Sequence, residues 1–374
     1  MEKEILSVHY NEIALKGKQR GKFERMLINN IASLTGCRPV PKSGRLVLLH
    51  FDKDTVELLR FIPGISWIGE GLVIERDIRI LKKCVSELLS SRGCSSVNLD
   101  VKRVDKNYSM TSLDLKNELL KEFHLRIDIQ QGYKIKIEIM PDSFIINKNI
   151  TKGIGGMPIG SAGKVLSLFS GGIDSAIVPF EMMKRGCTVD LLHVYALPTR
   201  DAVLRSKIIE LVGKISKISS FKLFLIPFHL FGLEIMKIDS RYELVLFKRF
   251  LLKLTERLAK EYGYKGICTG DALSQVASQT LDNLNAISYG FDLPVFRPLL
   301  TYNKDEIIKK AEFYGTYESS IKEYKDCCSI VSKNPATALS QQKVKDLESK
   351  INLEEIINKS IAELRVEEFT VNSK

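Results

Sequence analysis

At 374 residues, with 44% hydrophobic and 27% charged side chains, the chain is too long for one ordinary core and too apolar for disorder, so two or three globular domains are expected. No apolar run approaches the roughly 18 residues of a membrane helix, and the opening MEKEILSVHYNE puts charges where a secretory signal needs an apolar stretch, so a cytoplasmic protein is expected. Seven irregularly spaced cysteines argue against a disulfide framework, and a formal charge of +11 points to an anionic partner.

That charge is uneven. Residues 1–160 hold 26 Lys+Arg against 19 Asp+Glu, and residues 161–374 hold 30 against 26. The first part is the more basic per residue, which suits binding to a phosphate backbone. In it EILSVHY and GRLVLLHF read as strands on either side of a helical GKFERMLINNIASL. Between the first strand and that helix, NEIALKGKQRGKF gathers Lys16, Lys18, Arg20 and Lys22 around Gly17 and Gly21. Such a loop is either a phosphate-approaching surface or a solvated turn.

From Asp54 a new unit follows. DTVELLRFI reads as helical, ISWIGEGLVIE as extended, DIRILKKCVSELLSSRG as helical and SVNLDVKRVD as extended. SLDLKNELLKEFHLRI is then helical, and YKIKIEIMPDSFII reads as one strongly alternating strand. The glycine-rich NKNITKGIGGMPIGSAGK reads as a linker or hinge. Domains are therefore expected over 1–53, 54–152 and 165–374, with 153–164 as the linker.

After Val165 strands and helices alternate regularly. The strands are VLSLF, TVDLLHVYAL, FKLFLIPF and YKGICTG; the helices lie near Asp174–Arg185, Asp201–Ile218, Arg241–Tyr262 and Lys304–Tyr314. Repeated βαβ units with continuous apolar strands predict a doubly wound parallel α/β sheet, preceded by α+β modules. Ligands in such sheets bind at the carboxyl ends of the strands. The first of those ends carries Ser170-Gly171-Gly172-Ile173-Asp174-Ser175. It matches neither G-x-x-x-x-G-K-[ST] nor G-x-G-x-x-G. Its glycines let backbone N–H groups crowd an anion, its serines add hydroxyl donors, and the helix start adds partial positive charge. Asp174 repels phosphate unless a cation bridges the two or the carboxylate caps the helix.

At these residues the chain resembles the PP-loop ATP pyrophosphatases. TGDALSQVASQTLDNL, FRPLLTYNKDEIIKKAEFYGT and CCSIVSKNP, together with NEIALKGKQRGKF and PGISWIGEG, are similar to stretches of the 4-thiouridine synthetases, or tRNA sulfurtransferases. The resemblance covers nearly the whole chain. It implies a ferredoxin-like domain over 1–53, a THUMP RNA-binding domain over 54–152 and a PP-loop catalytic domain over 165–374. It also implies an ATP site of Leu168, Phe169, Ser170, Gly171, Gly172, Asp174 and Ser175, with His193 and Val194 beside the adenine and Lys248, Gly270 and Gln279 as further contacts. Many relatives carry arginine where Lys248 stands, so the charge is kept without a bidentate grip. Asp174 is expected to position Mg²⁺ and the triphosphate.

The implied reaction activates O4 of a uridine, position 8 of tRNA, by attack on the α-phosphate of ATP. Pyrophosphate leaves, sulfur attacks C4, and AMP departs; Lys304 is expected to stabilise phosphate charge or the departing AMP. The sulfur step needs a thiolate or persulfide. Counting back from SKNP selects Cys328, whereas counting forward from Lys304 selects Cys327; Cys328 is preferred and Cys327 stays open. Many relatives append a rhodanese domain that carries the persulfide and in some bacteria serves thiamine synthesis. Here the chain stops at RVEEFTVNSK, so no rhodanese domain is expected, sulfur is expected from a cysteine desulfurase or another donor, and a thiamine role is less expected. Some related thiolases hold an iron–sulfur cluster on three cysteines. Cys268, Cys327 and Cys328 would be that set here, although Lys265 stands where a C-x-x-C needs its partner, and the cluster is not favoured. Cys37, Cys84, Cys94 and Cys187 read as structural. A homodimer holding one tRNA across two chains is expected. Two rivals remain: a PP-loop synthetase acting on a small molecule, which leaves the basic first half without a task, and an RNA-binding protein with a degenerate nucleotide site, which the intact loop opposes.

Overall fold

A computed structural model describes residues 2–91, 96–331 and 335–371, apart from the side chains of Ala277, Cys328 and Ser329. Cys94 therefore lies outside the described residues, as does the side chain of Cys328. The chain divides into two compact units between Pro158 and Ile159.

The first unit runs β1 (Lys3–His9), α1 (Arg20–Thr35), β2 (Val40–Lys42), β3 (Arg45–Leu48), α2 (Lys53–Leu59), β4 (Trp67–Glu75) and α3 (Ile78–Ser90). It continues through β5 (Ser96–Arg103), α4 (Ser112–Glu122), β6 (Arg126–Ile127), β7 (Tyr133–Ile139) and β8 (Ser143–Lys152). The strands form one sheet in the order β2-β3-β1-β4-β8-β7-β5-β6. β1 pairs antiparallel with β3 on one side and β4 on the other, Leu6 standing opposite Leu48 and Glu70, so the sheet is continuous across residue 53. Gly71 sits at a bulge against β8, where a side chain would overlap the Ile146 carbonyl.

Three sequence expectations need correction here. YKIKIEIMPDSFII is not one strand but the hairpin β7–β8, closed by the Met140 N–H donating to the Ser143 carbonyl at 2.9 Å; Pro141 has no N–H for a ladder and turns the chain. The NEIALKGKQRGKF stretch is not an open loop: Glu12–Gln19 winds as a 3₁₀ helix and α1 starts at Arg20. The first half of the glycine-rich linker is bound in place. The Gly153, Ile154 and Gly155 N–H groups donate to the carbonyls of Ser66, Arg60 and Ile65 at 2.9, 3.0 and 2.7 Å.

The second unit runs β9 (Gly163–Leu168), α5 (Ile173–Lys184), β10 (Cys187–Tyr195), α6 (Arg200–Leu204), α7 (Lys207–Ser216), β11 (Phe221–Pro227), α8 (His229–Ile235) and α9 (Ser240–Glu261). There follow β12 (Ile267–Cys268), α10 (Leu281–Ile287), β13 (Val295–Phe296), α11 (Lys304–Phe313), α12 (Tyr317–Ser320), α13 (Cys327–Val331), α14 (Gln341–Glu348), α15 (Leu353–Ala362) and β14 (Arg365–Phe369). The sheet order is β13-β12-β9-β10-β11-β14. Every pairing is parallel except β14 on β11. This antiparallel edge comes from RVEEF, whose strand character the sequence reading missed. The helix expected over Asp201–Ile218 breaks in two, because the Ser206 hydroxyl accepts the Ile208 N–H at 3.2 Å and caps α7. The carboxyl ends of β9, β10 and β12 converge, β9 lying between the other two, and the loops leaving them build the site.

Candidate active site

β9 ends at Leu168, and Ser170–Gly172 turns the chain into α5. Gly171 sits at φ +84°, and Gly172 caps α5 from extended backbone; a non-glycine residue at the first position would be strained. Ser175 Oγ accepts the N–H groups of Ser170 at 3.2 Å and Gly171 at 3.1 Å, while Ser170 Oγ accepts the Gly172 N–H at 3.3 Å. Three backbone N–H groups thus crowd one turn at a helix N-terminus, each held here by a serine hydroxyl; turns of this build accept phosphate when it takes the place of those hydroxyls. Gly270, leaving β12, comes close behind this turn: a Cβ there would meet the Ser175 nitrogen at 3.0 Å and the Asp174 carbonyl carbon at 3.2 Å.

Asp174, in the first turn of α5, receives Lys304 Nζ at 3.0 and 3.3 Å. Gln275 Nε2 approaches the same carboxylate at 3.4 and 3.3 Å. Lys304 is the first residue of α11, whose Asn303 cap fixes the helix start. α11 is held on α5 by Lys310 and Tyr314, which donate to Glu181 at 2.9 and 3.1 Å, and by the Tyr314 ring stacked on Phe180. The ion pair spanning 130 residues therefore follows from helix packing.

A second carboxylate organises the floor. Asp271 is buried and accepts from Lys248 Nζ at 2.9 Å, Thr269 Oγ1 at 2.7 Å, Arg297 Nε at 3.3 Å and Gln279 Nε2 at 3.5 Å. Burial pushes its carboxyl up, but Lys248, Thr269 and Arg297 outweigh that and hold it below the usual carboxylate range. Two cations against one carboxylate leave the floor positive, as an anionic ligand requires. Gln279 and Gln275 each keep a buried Oε1 with no hydrogen-bond partner. Such acceptors are costly unless a ligand supplies a donor or a cation.

A cavity of about 180 Å³ brings together Ser170, Asp174, Val194, Lys248, Gly270 and Gln279, with Leu168, Phe169, Gly172 and Ser175 also in its wall. Cys327 and Asp326 line it from α13 and the segment before it. Cys327 is buried, and its Sγ donates to the Val194 carbonyl at 3.3 Å. His193 does not face the cavity. Its ring is buried between the Phe169 carbonyl, 2.6 Å from Nδ1, and the Tyr324 hydroxyl, 2.8 Å from Nε2. Burial holds it neutral, its pKa lowered to about 4, so Nδ1–H donates to Phe169 and Nε2 accepts from Tyr324. Cys268 is buried at the end of β12 with its thiol pushed up by desolvation. Among the described residues no group of three or more His, Cys, Asp or Glu is gathered for a metal ion. Asp271, Thr269, Arg297, Gln275 and Tyr324 escaped the sequence reading, although Thr269, Asp271 and Gln275 stand within the quoted TGDALSQVASQTLDNL.

In the first unit, Lys16, Lys18 and Lys22 are exposed, whereas Arg20 is tied to Glu24 Oε1 at 2.7 Å and to the Tyr10 hydroxyl at 2.8 Å. Sequence reading missed a second basic cavity, of about 610 Å³, lined by Tyr10, Arg20, Arg45, Trp67, Lys102 and Lys136 among others. Arg45 pairs with Glu138 in its buried wall. His9 stacks on Trp67 at 3.5 Å, held neutral by burial and by Arg45, Lys102 and Lys136. No helix among the described residues is long and apolar enough to cross a membrane.

Comparison with known proteins bears on these features. The family profile described as "Thiamine biosynthesis protein (ThiI)" matches residues 160–353, and that of the "ThiI ferredoxin-like domain" matches residues 5–68. A Staphylococcus aureus protein named "Probable tRNA sulfurtransferase" is 33% identical over 392 residues, covering 100% of this chain and 96% of that protein. A solved 4-thiouridine synthetase–RNA complex with bound ATP is 30% identical, with a TM-score of 0.84 over 98% of this chain and 99% of that one. A Pyrococcus horikoshii structure, 21% identical with a TM-score of 0.62 over 83% of this chain, shares the fold.

Proposed function

The chain belongs to the ThiI family, and we propose that it is an ATP-dependent tRNA sulfurtransferase that converts a uridine, position 8 of tRNA, to 4-thiouridine. What supports this most is a single cavity lined both by a phosphate-cradling turn and by a cysteine. An adenylating site alone needs no thiol, and a redox thiol needs no phosphate cradle.

The loop amides of Ser170–Gly172 and the cations Lys248 and Lys304 would bind the triphosphate and carry the charge that builds on it during attack by uridine O4. Catalysis at that step is positioning and electrostatics. Asp174 and the unpaired Oε1 of Gln275 are hard oxygen donors of the kind Mg²⁺ takes, so these two residues would hold the ion. When bound, Mg²⁺ supplies positive charge against the triphosphate. Lys304, now paired with Asp174, would then be freed toward phosphate.

In the second step the terminal sulfur of a cysteine persulfide on Cys327 or Cys328 attacks C4. The C4–O bond breaks and AMP leaves with the oxygen. A thiol reductant then attacks the cysteine sulfur, freeing the 4-thiolate and leaving a mixed disulfide for further reduction. A cysteine desulfurase suits as persulfide source, and free thiols suit a reducing cytoplasm. The first unit, with exposed Lys16, Lys18 and Lys22 and the basic cavity, would hold the tRNA by phosphates and shape, a homodimer spanning the distance to the target base. The test is product identity: AMP and pyrophosphate should form from ATP only with unmodified tRNA present, and ADP release would refute the reading.

A further inference from the structure

Tyr324 lies outside the cavity wall, yet it ties two parts of the site together. It stands three residues before Cys327 and donates its hydroxyl to His193 Nε2 at 2.8 Å; His193 Nδ1–H in turn donates to the Phe169 carbonyl at 2.6 Å. Phe169 is the residue between the end of β9 and the phosphate turn, and its own N–H donates to the Leu192 carbonyl at 2.9 Å. A continuous hydrogen-bonded chain therefore joins the cysteine-bearing segment to the first residue of the nucleotide loop. Every link but the tyrosine is buried, and buried polar links of this kind are costly to leave half-made.

Other contacts fix the same segment from its sides. Lys207, at the start of α7, donates Nζ to the Ser320 and Lys322 carbonyls at 2.7 and 2.9 Å and lies 5.7 Å from the centre of the Tyr324 ring. Glu210, one turn on, receives Ser319 Oγ at 2.9 Å and Lys322 Nζ at 2.7 Å. Ile208, between them, packs over Gly171. Cys327 Sγ reaches the Val194 carbonyl, the residue after His193. The tyrosine hydroxyl and the cysteine thiol thus dock on consecutive residues of β10.

We propose that Tyr324 is a positioning residue for the sulfur step, setting the register of the segment that carries Cys327 and Cys328 against the adenylated base through His193. The inference rests on the sulfur-transfer reading above. It weighs on the sulfur step more than on activation: Lys248, Lys304 and the Ser170–Gly172 turn make no direct contact with Tyr324, which reaches the loop only through His193 and Phe169, whereas sulfur delivery uses a segment that carries the tyrosine itself. A misplaced sulfur leaves the adenylated uridine open to water. Water then attacks C4, AMP leaves with its oxygen, and uridine is restored, so ATP is spent to AMP and pyrophosphate without thiolation.

Tyr324→Phe keeps the ring and removes the hydroxyl. In full-length protein with unmodified tRNA, MgATP, a thiol reductant and a cysteine desulfurase with cysteine, AMP and 4-thiouridine are counted together. Wild type should give a ratio near one, and Tyr324→Phe a ratio at least about threefold higher, with the ATP KM unchanged within about twofold. Excess inorganic sulfide, which attacks C4 without the cysteine, should return the variant's ratio to the wild-type value. A ratio equal to wild type with the desulfurase, whether or not both rates fall, would overturn the inference. So would a raised ratio that sulfide does not correct, since the fault would then lie in base placement. If wild type itself makes no 4-thiouridine, it is the functional reading that fails.

Discussion

Gly171→Ala tests how the phosphate turn is built. Two costs apply and they are separable. Gly171 sits at φ +84°, where an L-residue costs about 1–2 kcal/mol. A methyl there also overlaps Ile208 Cδ1, and overpacking of that kind costs about 1–3 kcal/mol. Together the variant should lose about 2–5 kcal/mol. Ile208→Val removes Cδ1 and leaves Cγ1, which stands 3.8 Å from the added methyl. Alone it should cost about 0.5–1.5 kcal/mol; combined with Gly171→Ala it should recover the overpacking part and leave the backbone part. The coupling is read from a double-mutant cycle in urea, on the unfolding transition that MgATP raises. A coupling of about 1–3 kcal/mol is expected. Additive effects, or an alanine variant as stable as wild type, would refute the packing of α7 against the turn.

Lys304→Ala should lower the rate of AMP formation by about 10²-fold or more, the size of losing one charge-stabilising donor. Its pair with Asp174 is 42% exposed on the lysine side, so stability should change by less than about 1 kcal/mol; a comparable loss of both would contradict the assignment. His193 has its pKa lowered to about 4 by burial, below the ordinary 6.5, so the unfolded chain binds the extra proton. Stability should therefore be flat above about pH 6.5 and fall between pH 6.5 and pH 4, by up to about 3 kcal/mol from this group. His193→Gln should flatten that limb of the second unit's pH–stability curve. In tRNA-binding titrations against salt, Lys16→Ala, Lys18→Ala and Lys22→Ala should each reduce the log–log slope by about one if they meet phosphate. Arg20→Ala, already engaged by Glu24 and Tyr10, should change stability more than slope.

What the sequence made legible was local. Ser170–Ser175 announces itself because strand, glycine pair and helix start are contiguous, and the βαβ alternation needs only the apolar period. What escaped is long-range or depends on partners. Asp271 looks like any loop aspartate until Lys248, 23 residues earlier, and Arg297, 26 residues later, close on it. His193 was expected beside the adenine, but its side chain faces Tyr324, 131 residues away, and no spacing rule predicts that pairing. β14 was missed because RVEEF is short, mostly charged and an edge strand, so only β11 gives it a reason to extend. The β7–β8 turn could have been read from Met140-Pro141-Asp142, where proline and aspartate end the alternation that runs from Tyr133 to Ile139.

One measurement tests the sulfurtransferase reaction most directly. Unmodified tRNA is incubated with the protein, MgATP and sulfide, digested to nucleosides and analysed for 4-thiouridine. ATP-dependent 4-thiouridine, lost in Asp174→Ala, is the predicted result. Full AMP release with no thionucleoside would contradict the sulfur step, and neither product would contradict the enzyme reading altogether.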